Sequence, residues 1–138
     1  MNSMNLRLKP GEKLYVNGAV IRVDRRVSIE LLNDVTFLLQ SHVLQLEDAS
    51  SPLRQLYFAI QSVIIDPKSS DETSGMINVM LADLLATFSD NDVIYGLLEV
   101  QGLVKRGRFF DSLRVVRGLF WIEDSIISVG HSFDPAAA

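Results

Sequence analysis

The N-terminal fold is decided by one stretch near the start of the chain, Leu6-Arg7-Leu8-Lys9-Pro10-Gly11-Glu12-Lys13-Leu14-Tyr15-Val16-Asn17-Gly18-Ala19-Val20-Ile21. Apolar residues alternate with polar ones along it, which is the period-two pattern of strands that bury one face. Pro10-Gly11 suits a type II turn, because glycine accepts the positive φ that this turn requires. Asn17-Gly18 is typical of a two-residue hairpin turn. The stretch therefore predicts short strands joined by tight turns.

The same alternation continues to about residue 40 and predicts five short strands in all. Further bends are expected at Asp24-Arg25-Arg26 and at Asn33-Asp34. Strands joined this closely favour an antiparallel meander or a small barrel over residues 1–46. The side chains expected to point inward are those of Leu6, Leu8, Leu14, Val16, Ile21 and Val23.

From residue 47 onward the apolar period becomes that of helices. Ser51-Pro52 is a helix start with a serine cap and a proline in the first turn, and Asp66-Pro67 ends that segment. A second helix is expected around 76–88, a third from Ser89-Asp90 to about Gly107, and a fourth from about Arg108 to Ser128. The sequence therefore predicts an α+β protein in which residues 47–138 form a bundle of about four helices. We expect the β unit and the helical unit to fold as one compact body.

The composition indicates a globular protein. The 138-residue chain is 48% hydrophobic and 22% charged, and its apolar runs are too short for a membrane span. It contains no cysteine, which excludes disulfides, thiolate nucleophiles and thiolate metal sites. Because the N-terminus also lacks a basic-then-apolar signal pattern, we expect a cytoplasmic protein without a membrane partner.

The sequence offers no arrangement typical of an enzyme active site. The two histidines, His42 and His131, lack the spacing of a metal pair, and no serine lies in a Gly-x-Ser-x-Gly elbow. Gly102 and Gly107 flank Lys105-Arg106 without the pattern of a phosphate-binding loop. We therefore expect no enzyme, no catalytic residues, no metal and no cofactor.

Charge is divided unevenly along the chain. Residues 1–46 hold six Lys/Arg against four acids, a net charge of +2, whereas residues 47–138 hold seven against thirteen, a net charge of −6. Cations interleaved with an aromatic on one face of a sheet suit single-stranded RNA, although charged strands also protect sheet edges from aggregation. The candidate RNA-binding residues are Arg7, Lys9, Lys13, Tyr15, Arg22, Arg25 and Arg26.

A second candidate surface lies on the predicted fourth helix. Arg114, Arg117, Trp121 and Ser125 recur every three or four residues, opposite the apolar stripe of that helix. A tryptophan on a polar stripe often marks a contact, which could be with the β unit, a second subunit or a protein partner, and packing against the sheet is the default interpretation. We therefore take Arg114, Arg117 and Trp121 as candidates for a partner or oligomer interface, and we expect a homo-oligomer.

Several motifs, in their joint order, resemble the FlbT family of flagellum biosynthesis regulators. They are the opening Leu8-Lys9-Pro10-Gly11-Glu12 with Asn17-Gly18-Ala19-Val20-Ile21, Ser51-Pro52 with Arg54-x-x-Tyr57-Phe58-Ala59-x-Gln61, and Gly107-Arg108-Phe109-Phe110-x-x-Leu113-x-x-x-Arg117. The resemblance implies a post-transcriptional regulator that binds the 5′ untranslated region of flagellin mRNA and promotes its degradation or blocks its translation. It also implies a small partner protein of the FlaF type, and it transfers no catalytic residues.

An alternative function of a different class remains open at this point. The helical half, with the adaptable side chains of Met76 and Met80 and with Trp121, would suit a protein-binding adaptor or a secretion chaperone. Its cargo would be flagellin or a FlaF-type partner, and any effect on RNA would be indirect.

Overall fold

The structure is a computed structural model that describes residues 4–33, 35 and 37–132. Within these residues five strands precede five α-helices, and strands followed by helices is the order that the sequence predicts for an α+β chain. The strands are β1 Met4–Leu8, β2 Lys13–Val16, β3 Ala19–Arg22, β4 Val27–Leu31 and β5 Phe37–Leu39. The helices are α1 Pro52–Ile65, α2 Ser70–Thr87, α3 Asn91–Lys105, α4 Phe109–Gly118 and α5 Phe120–Ser132. Part of the expected bend at Asn33-Asp34 lies outside the described residues, since Asp34 is not among them.

The first four strands form one long hairpin that is bent in its middle. The β2–β3 pairs and the β1–β4 pairs share one antiparallel register centred on the Asn17-Gly18 turn. Asn17 and Gly18 have φ of 47° and 84°, as a type I′ hairpin turn requires. Gly11 has φ 81°, and the Glu12 N–H donates to the Lys9 carbonyl at 3.0 Å, so Pro10-Gly11 forms the expected type II turn.

This bend corrects the expectation of a single five-strand meander or barrel. The strands form two small sheets, β1-β4 and β3-β2-β5, because regular pairing stops between residues 9–11 and residues 24–26. Val23 still bonds across the hairpin, accepting from the Gly11 N–H at 2.7 Å and donating to the Glu12 carbonyl at 3.2 Å. Pro10 contributes to the interruption, since it has no N–H to donate to a ladder. Ile21, expected to point inward, is 43% exposed, because β3 is an edge strand whose described pairing is with β2 alone.

The strand β2 lies between two hydrophobic cores. Successive side chains of a strand point to opposite faces, so Leu14 is buried in a small cluster with Leu6, Leu8 and Phe37. The Tyr15 side chain points the other way and packs against the main core of the helical unit. Direct contacts of α1 with β2 and β5 join the two units.

Four helices form a bundle in the order α1-α2-α3-α4, with α1 also beside α4. The expected fourth helix from about Arg108 to Ser128 is two helices, because the helix is interrupted at Leu119. The Leu119 N–H bonds the Val116 carbonyl in a tightened last turn, and the adjacent Gly118 disfavours continuation of the helix. In the part of the chain that the structure describes, no helix combines the length and apolarity needed to cross a membrane.

Candidate nucleic-acid interface

The bend of the long hairpin creates a pocket of about 400 Å³ on the surface of the β unit. Arg7 and Ser28 face each other across β1 and β4, and Leu8 faces Val27 one position further on. Lys9 and Arg26 follow directly after the last pair of this ladder, where regular pairing of β1 with β4 ends. The lining residues are Arg7, Leu8, Lys9, Arg26, Val27 and Ser28.

Three cationic side chains therefore converge at one pocket. Arg7, Lys9 and Arg26 are exposed, and none forms an ion pair with a described carboxylate. The nearby Glu12 carboxylate accepts from the backbone N–H of Lys9 at 3.0 Å. Positive charge that no described carboxylate pairs with, beside the exposed Ser28 and the half-buried Val27, is an arrangement suited to a phosphate with an attached base or sugar.

Lys13 and Arg22 lie on the other sheet rather than at the pocket. They are directly opposite each other in the β2–β3 pair, where like charges destabilise the sheet unless an anion lies between them or solvent screens them. The Lys13 backbone N–H is held by the Gln40 Oε1 atom at 2.7 Å. These two cations form a second basic position on the hairpin.

The remaining two candidates are less available to an anionic ligand. The Arg25 Nε atom lies 3.3 Å from the Asp24 carboxylate in a highly exposed pair, which neutralises part of its charge. Tyr15 is half-buried and packs against the main core, so its ring is not an open stacking surface. Of the seven sequence candidates, three meet at the pocket and two meet across β2 and β3.

The candidate partner surface of Arg114, Arg117 and Trp121 is divided by the break between α4 and α5 at Leu119. Trp121 is 67% exposed on α5, whereas Arg114 and Arg117 belong to α4. The regular spacing of one continuous helix therefore does not extend across the three residues. Arg117 is half-buried near His42 and Tyr57. Burial raises the pKa of the Tyr57 hydroxyl, and the Arg117 charge opposes that rise.

His42 lies in the connection between β5 and α1, where the β unit joins the helical unit. Burial is the main cause that lowers the pKa of the imidazole, the Arg117 charge lowers it further, and the Glu12 charge opposes both. Within the described residues, the Nδ1 atom of His42 is a buried polar atom without a hydrogen-bond partner. The local environment therefore favours the neutral imidazole.

The motif at the start of α1 fixes this connection to the bundle. The Tyr57 hydroxyl donates to the His42 carbonyl at 2.7 Å. The Gln61 amide makes two bonds to Leu44, accepting from its N–H at 2.9 Å and donating to its carbonyl at 2.6 Å. Residues that carry the family resemblance thus set how the β unit is attached to the helices.

Sequence reasoning missed the role of Glu123, whose side chain is 1% exposed. Its carboxylate accepts from the Ser51 hydroxyl and from the Leu53 N–H, the latter at 2.8 Å, so that α5 closes the N-terminus of α1. Arg54 completes the anchor with two bonds to the Asp124 carboxylate, at 2.8 and 3.1 Å. The sequence did offer a signal for this role. Glu123 is an acidic residue within an apolar helical segment, and the N-terminus of α1 has N–H groups that need an acceptor.

The chain matches known proteins over nearly its whole length. The family model described as "Flagellar protein FlbT" matches residues 4–127. A Chelativorans protein named "Probable flagellum biosynthesis repressor protein FlbT" is 50% identical over 98% of this chain and 93% of its own length. Proteins of the same name from Rhizobium leguminosarum bv. trifolii and Agrobacterium fabrum are 45% and 44% identical, over 97% and 92% of this chain and 89% and 85% of their own lengths.

No solved structure matches the chain, so the relationship depends on sequence alone. The matched span covers the long hairpin, the bundle and most of α5. Identity of this extent over almost the full length of the relatives is sufficient to assign a family. The chain belongs to the FlbT family of flagellar proteins.

Proposed function

We propose that this protein represses flagellar synthesis by binding the 5′ untranslated region of flagellin mRNA. Its relatives are named as probable flagellum biosynthesis repressors, which supports a role in regulating flagellar synthesis. The observation that carries the RNA-binding step is the convergence of Arg7, Lys9 and Arg26 at one pocket, where none of the three pairs with a carboxylate of the described residues. Bound RNA would be withheld from the ribosome or passed to the decay machinery.

The physical basis is charge-assisted recognition of the RNA backbone. Guanidinium and ammonium groups bond phosphate oxygens, and the half-buried side chain of Val27 offers an apolar surface for an unpaired base. Lys13 and Arg22 would contact a second phosphate further along the strand. The acidic helical half would repel RNA, which leaves the β unit as the surface that a leader approaches.

The test is a fluorescence anisotropy titration of a labelled flagellin leader with the full chain. We expect the double variant Arg7→Gln, Lys9→Gln to lose at least tenfold in affinity, because each substitution removes a charged hydrogen bond of about 1.5–3 kcal/mol. The matched control is Lys68→Gln, Lys105→Gln, which removes two exposed cations of the helical half. Equal losses in the two variants, or equal affinity for a scrambled leader, would overturn the proposal.

A second candidate function is supported by the exposed apolar residues of α5. Trp121 is 67% exposed, and Ile126 and Ile127 are 43% and 40% exposed further along the helix. Such residues suit an adaptor or chaperone that holds flagellin or a FlaF-type partner. Trp121→Ala should then weaken the capture of purified flagellin or of that partner without changing leader binding. Arg25→Glu with Arg26→Glu should do the opposite if RNA binding is direct.

A further inference from the structure

The outer faces of α2 and α3 carry large apolar side chains that no described element covers. Each helix buries one side in the bundle, through Ile77 and Leu81 on α2 and through Leu97 and Val100 on α3. The exposed apolar residues on the outer faces are Met76 at 53%, Val79 at 63%, Tyr95 at 70% and Leu98 at 47%. A helix with apolar residues on both its inner and its outer side has a second surface to bury.

The two faces lie side by side on the bundle. α2 and α3 pack against each other and are joined by the short connection at residues 88–90. At 1.5 Å per residue, Val79 lies about 12 Å from the end of α2, and Leu98 lies about 10 Å from the start of α3. The two side chains are therefore at similar heights in this helical hairpin. The β unit contacts α1 and, through the stacked rings of Phe37 and Phe110, α4, whereas α2 and α3 are the other two helices of the bundle.

The charged side chains of α2 and α3 are acidic, apart from one lysine at the end of α3. α2 contains no Lys or Arg, and the one cation of α3 is Lys105 at its last position. None of the carboxylates on the two helices forms an ion pair with a described cation. They are Asp71, Glu72, Asp83, Asp92 and Glu99, and all five are exposed.

We propose that the α2–α3 face binds a basic amphipathic helix of a partner protein. The apolar stripe of such a helix would cover Val79, Tyr95 and Leu98, and its Lys and Arg residues would meet the surrounding carboxylates. The sign of the charge argues against RNA or an anionic membrane as the occupant. It also argues against a symmetric contact with a second copy, which would place acidic rims against each other.

The probe is a labelled synthetic helix of about 18 residues, or five turns, with a leucine stripe and a lysine face. Its matched control replaces every lysine by glutamate. We expect the full chain to bind the lysine peptide at least tenfold more tightly than the glutamate peptide in an anisotropy titration. Equal binding of the two peptides would overturn the proposal.

Variants of the chain locate the binding surface. Val79→Ser with Leu98→Ser should weaken binding of the lysine peptide at least tenfold, and circular dichroism will verify that the variant is folded. The control is Val20→Ser with Leu46→Ser, which removes two side chains that are 59% and 71% exposed elsewhere. Unchanged binding by the α2–α3 variant would place the peptide on another surface and overturn the proposal.

A charge variant separates this surface from the proposed RNA site. Asp83→Asn with Glu99→Gln should weaken the lysine peptide several-fold and make its binding less sensitive to salt, while leader binding stays unchanged. A failure of the chain to bind any leader would leave the α2–α3 proposal intact. If light scattering showed a dimer that Val79→Ser, Leu98→Ser converted to a monomer, the occupant would be a second copy and the proposal would be wrong.

Discussion

The buried carboxylate of Glu123 shows how one residue connects distant parts of the chain. It accepts from the Ser51 hydroxyl and the Leu53 N–H at the start of α1, where the unpaired N–H groups and the helix dipole favour negative charge. Ser51 also accepts from the Arg54 N–H at 3.4 Å as the cap of α1. A serine and proline predict this helix start, but its acceptor on α5 lies too far along the chain for local patterning to identify.

We expect Glu123→Gln to destabilise the protein by about 2 kcal/mol, because the amide is a weaker acceptor and brings a donor into a buried site. The free energy of unfolding from urea titration measures this loss. Asp124→Asn is the control, since its carboxylate bonds the same Arg54 but is 56% exposed. A loss for Asp124→Asn as large as for Glu123→Gln would contradict the importance of the buried bonds.

The lowered pKa of His42 predicts how the stability of the protein depends on pH. Its pKa is lowered in the folded protein, first by burial and then by Arg117, so the unfolded chain takes up a proton before the folded protein does. The contribution of His42 to stability is therefore full above pH 6.5 and falls as the pH drops from 6.5 toward the lowered pKa. Comparison of unfolding free energies at pH 7.5 and 5.5 should show a smaller drop for His42→Gln than for the unsubstituted chain. Equal drops would mean that groups other than His42 dominate this range.

Among the strands, the sequence pattern was sufficient to locate the turns of the hairpin but not to determine which strands pair. Asn17-Gly18 and Pro10-Gly11 specify their turns through the positive φ that only a few residues tolerate. Nothing in the alternating pattern says whether β1 pairs with β2 or with β4, because both pairings bury the same leucines. The cationic pocket depends on that choice, which brings Arg26 beside Arg7 and Lys9. The sequence therefore identified the basic residues, but it could not show that Arg7, Lys9 and Arg26 meet at one pocket.

Two glycines in different elements are predicted to respond oppositely to the same substitution. Gly75 lies inside α2 with open space where a Cβ would be added, so Gly75→Ala should stabilise the protein by about 0.5–1 kcal/mol. Gly11 also has open space, but its φ of 81° strains any residue with a Cβ, and Gly11→Ala should cost about 1 kcal/mol or more. Urea denaturation of both variants tests this pair, and a stabilising Gly11→Ala would refute the turn geometry.

At the scale of the whole molecule, the two proposed surfaces have opposite charge and lie on different units. The β unit presents cations at the bend of its hairpin, and the α2–α3 face presents carboxylates around apolar side chains. α1 contacts both the β unit and α2, and its Tyr57 and Gln61 hold the connection between the units. If the proposed RNA site is correct, this division would attract an anionic strand to the β unit without drawing it across the acidic helical half.

Salt dependence tests the RNA site at this scale, because each phosphate contact releases condensed counterions. For single-stranded RNA, three engaged cations give a slope of about −2 for log affinity against log salt, and five give about −3.5. Arg7→Gln with Lys9→Gln should make the slope less steep by about 1.4, whereas Lys68→Gln with Lys105→Gln should leave it unchanged. Anisotropy titrations of the leader between 50 and 300 mM salt measure both slopes. If the pocket variant lost affinity while its slope stayed that of the unsubstituted chain, Arg7 and Lys9 would act on folding rather than on phosphate, and the pocket would not be where the leader binds.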